Sequence, residues 1–263
     1  MSFRKNGAVP VVKLNDDDLE ASQNAYIMGP HLSRNIRHEF ASKVFSLVAL
    51  MFTFTAISCC SLTYLASTQA YDLKPLSFAL LAIGLVGTLS FFFCMYCTGL
   101  SKSSGGINFI MGLITLTESC ILSGLGIMYG AQQWSDIVYY AFGGATLITI
   151  ALAVFAKQTT YDVTGMGMWV SVGFGALIFV GFVQMILSLM GFKLNWFHIA
   201  VSFAAILVVC FSMVYDMQLI FGGDDKQHEY SVDDYGLAAI SVYLSIVILV
   251  MRIMEILARL RQR

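Results

Sequence analysis

The chain has 263 residues, of which 58% are hydrophobic and 12% are charged, and its formal net charge at pH 7 is -1. A soluble domain carries about a quarter charged residues, so much of this apolar surface must face lipid. The near-zero net charge argues against a nucleic-acid-binding protein, which would carry a basic surface.

The sequence predicts a polar N-terminal tail followed by seven apolar stretches. Residues 1–36 are polar and mixed in charge, which predicts disorder. The apolar stretches cover residues 44–66, 76–100, 107–130, 137–156, 163–192, 194–221 and 235–251. Each is about as long as a helix that crosses a bilayer core, which needs roughly 20 residues. We therefore predict an all-α integral membrane protein, with a seven-helix domain over residues 37–257 and a basic tail over residues 258–263.

The six cysteines all lie within the apolar stretches, which argues against an extracellular disulfide framework. Cys94 and Cys97 have the CxxC spacing of redox and zinc sites, but no second pair accompanies them. We therefore expect packing cysteines, no tight metal site and no cofactor.

The charges beside the apolar stretches predict the orientation of the chain across the membrane only weakly. Lysines and arginines slightly favour a cytoplasmic N-terminus, but the basic residues Arg259, Arg261 and Arg263 favour the cytoplasm as well. The sequence leaves open whether the seventh stretch spans the membrane or re-enters it.

The last two stretches carry ionisable groups, which are costly in hydrocarbon and are therefore functional candidates. Asp216 lies about 9 Å from the end of the sixth helix, and Ser245 lies about 20 Å into the seventh. Arg252 lies about 30 Å along, too far to neutralise Asp216. This comparison favours Ser245 as the partner of Asp216, and it predicts that Arg252, Glu255 and Arg259 form a ladder at an interfacial helix end.

Two local patterns predict the turn between these helices. Gly222 and Gly223 predict the end of the sixth helix. Ser231 and Asp234 have the spacing of a capping box, which predicts a loop of about seven residues. The acidic residues of this region could attract cations to a pore mouth or form a solvated loop, and they lack the spacing of an EF-hand. They are Asp224, Asp225, Glu229, Asp233 and Asp234.

The third stretch contains Glu118 close to Thr115, Thr117 and Ser119. Its carboxyl group could be a ligand on an ion path or a structural hydrogen-bonding group, and the sequence does not choose between them.

Three parts of the chain resemble the Bax inhibitor/Lifeguard family, the transmembrane BAX inhibitor motif proteins. The first is Leu116-Thr117-Glu118-Ser119, and the second runs from residue 155 to 164. The third is the final hairpin. Within the second and third parts, the matching residues include Gln158, Thr159, Asp162, Asp216, Gly222, Gly223 and Tyr243.

The resemblance implies six helices around a central seventh, with calcium as the permeant ion of a leak across an internal or cell membrane. It implies the endoplasmic reticulum or Golgi rather than the plasma membrane, and membrane-protein partners in cell-death signalling. Family members pair two aspartates as a pH-sensitive latch. Asp216 matches the first, but Ser245 replaces the second. A serine cannot share a proton, so we expect a weaker or different pH response, which Ser245→Asp should introduce or steepen.

Two other functions remain as alternatives. A non-conducting membrane adaptor of cell-death or stress signalling would suit the loss of the second aspartate. An enzyme is not expected, because aspartyl chemistry needs two carboxylates and the HExxH and GxSxG motifs are missing.

Overall fold

A computed structural model describes residues 34–68, 73–97, 104–159, 161–190, 195–222, 230 and 234–262. Within these ranges the chain forms seven α-helices and a short 3-10 helix, Thr164–Met166. The helices are α1 (Arg34–Thr68), α2 (Lys74–Cys97), α3 (Ser104–Ala131), α4 (Ser135–Gln158), α5 (Gly167–Leu189), α6 (Asn195–Phe221) and α7 (Tyr235–Arg261). All seven are long and apolar enough to cross a membrane. The prediction of an all-α multi-pass membrane protein is therefore confirmed.

Two helices extend by about ten residues at one end beyond the apolar stretches that predicted them. α1 begins at Arg34, well before residue 44, and its early residues Phe40 and Ala41 are buried in the core. α7 begins at Tyr235 and continues to Arg261, so it includes most of the predicted basic tail. The N-cap of α7 is Asp234, whereas Ser231, the predicted N-cap, lies outside the described residues. The predicted N-terminal tail also lies outside them as far as residue 33.

The interior of the bundle is shared by two helices. In the most apolar 18-residue window of α3, 67% of residues are buried, and in that of α7, 61% are buried. In each of the other five spans, at most 33% of the residues in this window are buried. α3 packs mainly against α1 and α2, whereas α7 packs mainly against α6, α4 and α1. The arrangement of six helices around one central seventh is therefore not confirmed.

The contacts at the two ends of α7 show that it crosses the whole bundle. Near its start, the Lys43 ammonium of α1 lies 3.5 Å from the centroid of the Tyr235 ring. At its end, Arg261 donates to Asp136 at the start of α4, with 2.7 Å between Nη1 and Oδ2. In an up-and-down bundle, α1 and α4 start on opposite sides. The seventh helix therefore runs from one end of the bundle to the other.

Glycines allow α2 and α3 to pack closely. A side-chain carbon added at Gly84 would lie 2.9 Å from the Thr117 carbonyl oxygen, and one at Gly124 would lie 2.9 Å from that of Ser77. Such contacts leave no room for a larger residue, which is typical of transmembrane helix interfaces.

The connection between α4 and α5 is held to α6 by the side chain of Gln218. Its Nε2 donates to the Tyr161 carbonyl, and its Oε1 accepts from the Val163 N–H, both at 2.8 Å. Gln218 is fully buried. Because a buried backbone group without a partner is costly, this amide fixes the path of the chain into α5.

We expect Gln218→Leu to lower the free energy of unfolding in detergent by about 1–3 kcal/mol, since the buried Val163 N–H loses its partner and the bond to the Tyr161 carbonyl is also lost. The matched control is Gln132→Leu, because Gln132 is exposed and its Nε2 donates to the Met128 carbonyl near the end of α3. Denaturant titration of both variants tests this. An equal loss of stability in the two variants would contradict the role of Gln218.

Candidate functional site

The candidate site centres on a buried carboxylate near the start of the α6–α7 connection. Asp216 is only 6% exposed, and its Oδ2 accepts a hydrogen bond of 2.8 Å from Ser241 Oγ of α7. Both residues lie about 8–9 Å from the α6–α7 connection, measured along their own helices. Ser241 therefore faces Asp216 because the two side chains have equal depth.

The residue predicted to face Asp216 lies one helical turn deeper. Ser245 Oγ is 3.4 Å from the Oγ of Ser212, which precedes Asp216 by one turn of α6. The two pairs, Asp216–Ser241 and Ser212–Ser245, define one antiparallel register. The structure therefore places Ser241, rather than Ser245, against the carboxylate.

Tyr230 lies beside this pair on the side of the α6–α7 connection. Its N–H donates to the Leu219 carbonyl at 3.3 Å. Burial raises the pKa of Tyr230, the negative charge of Asp216 adds to this, and a hydrogen bond with Ser241 opposes it. The phenol therefore stays neutral at physiological pH next to the carboxylate.

Sequence reasoning missed both Ser241 and Tyr230. Ser241 could have been found by comparing depths from a helix start at Tyr235, because it then lies as far from the connection as Asp216 does. Counting from the predicted cap at Ser231 placed every residue of the seventh helix too deep. Tyr230 gave no signal, because it lies among polar residues between the two helices.

Glu118 belongs to a different part of the bundle. It is 5% exposed, and its Oε1 accepts a hydrogen bond of 3.3 Å from Thr88 of α2. Tyr243 of α7 is fully buried and lies close enough to Glu118 for the two groups to interact electrostatically. Its hydroxyl is 2.8 Å from Thr55 Oγ1 of α1. In the described part of the chain, no hydrogen bond or ion pair joins Glu118 to Asp216.

The remaining motif residues shape the backbone around helix ends. Gln158 is the last residue of α4, and the N–H of Thr159 closes that helix on the Phe155 carbonyl at 2.9 Å. Asp162 Oδ1 accepts from the N–H and the hydroxyl of Thr164, at 2.9 and 2.7 Å, and so fixes the turn that leads into the 3-10 helix.

The end of α6 is closed by a glycine, as the sequence predicted. Gly222 has a φ of 57° and donates to the Gln218 carbonyl at 2.9 Å. Of the predicted acidic residues that follow, Asp234, directly before α7, lies within the described residues. The other predicted residues here lie outside the described part, and they are Gly223, Asp224, Asp225, Glu229 and Asp233.

The predicted ladder at the far end of α7 is confirmed. Arg252 Nη1 donates to Glu255 Oε2 at 2.9 Å, and Arg259 Nη2 donates to Glu255 Oε1 at 3.3 Å. Arg252 is thus paired within its own helix. Across the described ranges, no group of three or more His, Cys, Asp and Glu side chains is arranged to hold a metal ion.

Comparison with known proteins gives consistent matches over most of the chain. The model of a family described as "Inhibitor of apoptosis-promoting Bax1" matches residues 37–262. Protein lifeguard 3 of Homo sapiens is 22% identical over 235 residues, which cover 88% of this chain and 72% of that protein. Protein lifeguard 4 of Mus musculus is 22% identical over 232 residues, which cover 88% of this chain and 89% of that protein. The Golgi anti-apoptotic protein of Vaccinia virus (strain Lister) is 24% identical over 226 residues, which cover 86% of this chain and 87% of that protein.

The register of the hairpin predicts different effects for two new carboxylates. Ser241→Asp places a second carboxylate against Asp216, and the two repel once both are ionised. We therefore expect its melting temperature in detergent to fall as the pH rises from about 5 to about 8. Ser245→Asp should show a smaller fall, because it lies one turn away. A larger fall for Ser245→Asp would contradict the register.

Proposed function

We propose that this chain, which belongs to the Bax inhibitor/Lifeguard family of multi-pass membrane proteins, conducts a calcium leak across an internal membrane and thereby modulates cell-death signalling. The calcium leak rests on the family resemblance and on the environment of one carboxylate. The role in cell death is supported by the names of the matched family and of its vaccinia relative.

The observation that carries the proposal is the missing counter-charge of Asp216. Its hydrogen-bond donor is the neutral Ser241, and no described lysine or arginine forms an ion pair with it. Arg252, the nearest basic residue further along α7, is paired with Glu255. An ionised carboxylate in such a setting attracts a passing cation, since no protein charge balances it.

The supply of cations to this carboxylate is favoured by its position. Asp216 lies within about 9 Å of the connection that contains the acidic residues, so a cation gathered there has a short path to it. Glu118 is a second buried carboxyl group, held by Thr88 on the α2–α3 side of the bundle. We assign it a structural or ion-path role separate from that of Asp216.

We also propose that the protein is not an enzyme. Acid–base chemistry by carboxylates needs two of them in one site. Asp216 faces Ser241 instead, and Ser245 faces Ser212. As its location we propose the Golgi or the endoplasmic reticulum, and the name of the vaccinia relative supports the Golgi.

A second candidate is a non-conducting membrane adaptor in cell-death signalling. The observation that favours it is the pair of serines at positions 241 and 245, which leaves the described part of the hairpin without a second buried carboxylate. An adaptor would use the buried Asp216–Ser241 bond to hold α6 against α7 and would need no cation.

We expect Asp216→Asn to lower calcium flux into proteoliposomes by about tenfold or more, because the amide keeps the size of the side chain but removes its charge. The matched control is Asp136→Asn, which makes the same chemical change at the exposed ion pair with Arg261. The control should conduct like the wild type.

Two results would separate the candidates. Unchanged flux in Asp216→Asn, with wild-type flux present, would contradict the role of the carboxylate. Wild-type flux no greater than that of empty vesicles, together with retained capture of a membrane-protein partner, would favour the adaptor.

A further inference from the structure

A cleft of about 500 Å³ opens between α3, α5 and α7. It arises because α5 packs mainly against α6 and the 3-10 helix and stands away from α3 and α7. Much of its wall is apolar, formed by side chains that include Leu125, Phe174, Leu177 and Ile248. Since the three helices are membrane spans, this apolar space faces hydrocarbon, which favours an acyl chain as its occupant.

One end of the cleft is charged. Arg252 and Glu255 line it, together with Tyr129 of α3. Arg259 also binds Glu255, so the three charged side chains sum to one positive charge. Arg252 lies about 26 Å along α7, close to the far membrane face. The cleft is therefore amphipathic along the membrane normal, with its cationic end towards the C-terminal side.

Two buried polar groups at the depth of this end have no hydrogen-bond partner among the described residues. They are Gln184 Nε2 of α5 and Ser202 Oγ of α6. Gln184 follows the cleft-lining Leu177 and Gly181 by seven and three residues, so it continues the face of α5 that lines the cleft. Gln184 and Arg252 lie equally far along their helices, about 26 Å from each start.

The register of α6 and α7 brings Ser202 to the same level. The pairs Asp216–Ser241 and Ser212–Ser245, extended along the two helices, place Ser202 opposite Glu255. The same register places His198 opposite Arg259, and these two groups are within electrostatic range of each other. Unpaired buried donors are costly, so their position at the level of a cationic cleft end favours a ligand that accepts hydrogen bonds.

We propose that the cleft binds one anionic phospholipid from the leaflet on the C-terminal side. Its phosphate lies against Arg252 and accepts hydrogen bonds from the donors Gln184 and Ser202. One acyl chain runs along Phe174 and Leu177 towards the middle of the membrane.

The charges of the site favour an anionic lipid over a zwitterionic one. Glu255 already accepts hydrogen bonds from two arginines, so it is poorly available to a choline or ethanolamine group. A guanidinium is the preferred partner of a phosphate. Inorganic phosphate or glycerol phosphate would satisfy the polar end but would leave the apolar wall uncovered.

Native mass spectrometry of the purified full chain tests the proposal, with phosphatidic acid and phosphatidylcholine of identical acyl chains as probes. We expect the wild type to retain one phosphatidic acid molecule with an apparent affinity about fivefold or more above that for phosphatidylcholine. Arg252→Gln should weaken phosphatidic acid binding by about tenfold. Glu255 keeps Arg259 as its partner in this variant, so no buried charge is left unpaired.

Arg261→Gln is the matched control, because it removes a positive charge from the same helix end outside the cleft. It should bind phosphatidic acid within about twofold of the wild type. Leu177→Trp, which fills the apolar wall, should weaken binding of both lipids. Gln184→Leu gives a second test at the polar end if Arg252→Gln does not fold, as judged by thermal unfolding.

Three outcomes would overturn the proposal. They are equal wild-type binding of the two lipids, equal losses in Arg252→Gln and Arg261→Gln, and displacement of the lipid by glycerol phosphate. None of them depends on calcium flux, so a protein that does not conduct can still bind the lipid.

Discussion

The hairpin depends on one constraint, which is that a buried carboxylate needs a donor from a neighbouring helix, because the N–H groups of its own helix are already bonded. Asp216 of α6 meets Ser241 of α7, and Tyr243 of α7 meets Thr55 of α1. Because these partners cannot be exchanged for water, each bond fixes how far one helix is displaced along the next. The hairpin register follows from them, and with it the level of every other group on α7.

The number and type of the helices could be predicted, whereas their ends and their partners could not. Seven long apolar stretches are a strong signal for membrane spans, and each became one helix. The start of α1 and the end of α7 are polar, so hydrophobicity did not mark them. The seventh apolar stretch begins at residue 235, where α7 begins, but depths were counted from the predicted cap at Ser231. That count placed Ser245 too deep in the membrane, and the match in depth between Ser241 and Asp216 was therefore missed. The cleft depends on the distance of α5 from α3 and α7, which no sequence pattern encodes.

α7 carries two chemically different sites at different depths. Near its start, Ser241 holds a carboxylate without a counter-charge. Near its end, Arg252 and Arg259 share the single carboxylate of Glu255, which leaves a positive charge beside the cleft. About 16 Å of buried helix separates Ser241 from Arg252. Since both sites face α6 or its neighbours, a shift of α7 along α6 would change both together.

The central claim is that Ser241, and not Ser245, is the partner of Asp216. A double-mutant cycle on the free energy of unfolding in detergent tests it most directly, with Asp216→Ala, which removes the acceptor, combined in turn with Ser241→Ala and Ser245→Ala. The structure predicts a coupling energy of about 1 kcal/mol for the Ser241 cycle and near-additivity for the Ser245 cycle. Coupling confined to the Ser245 cycle, or additivity in both, would contradict the register on which the account rests.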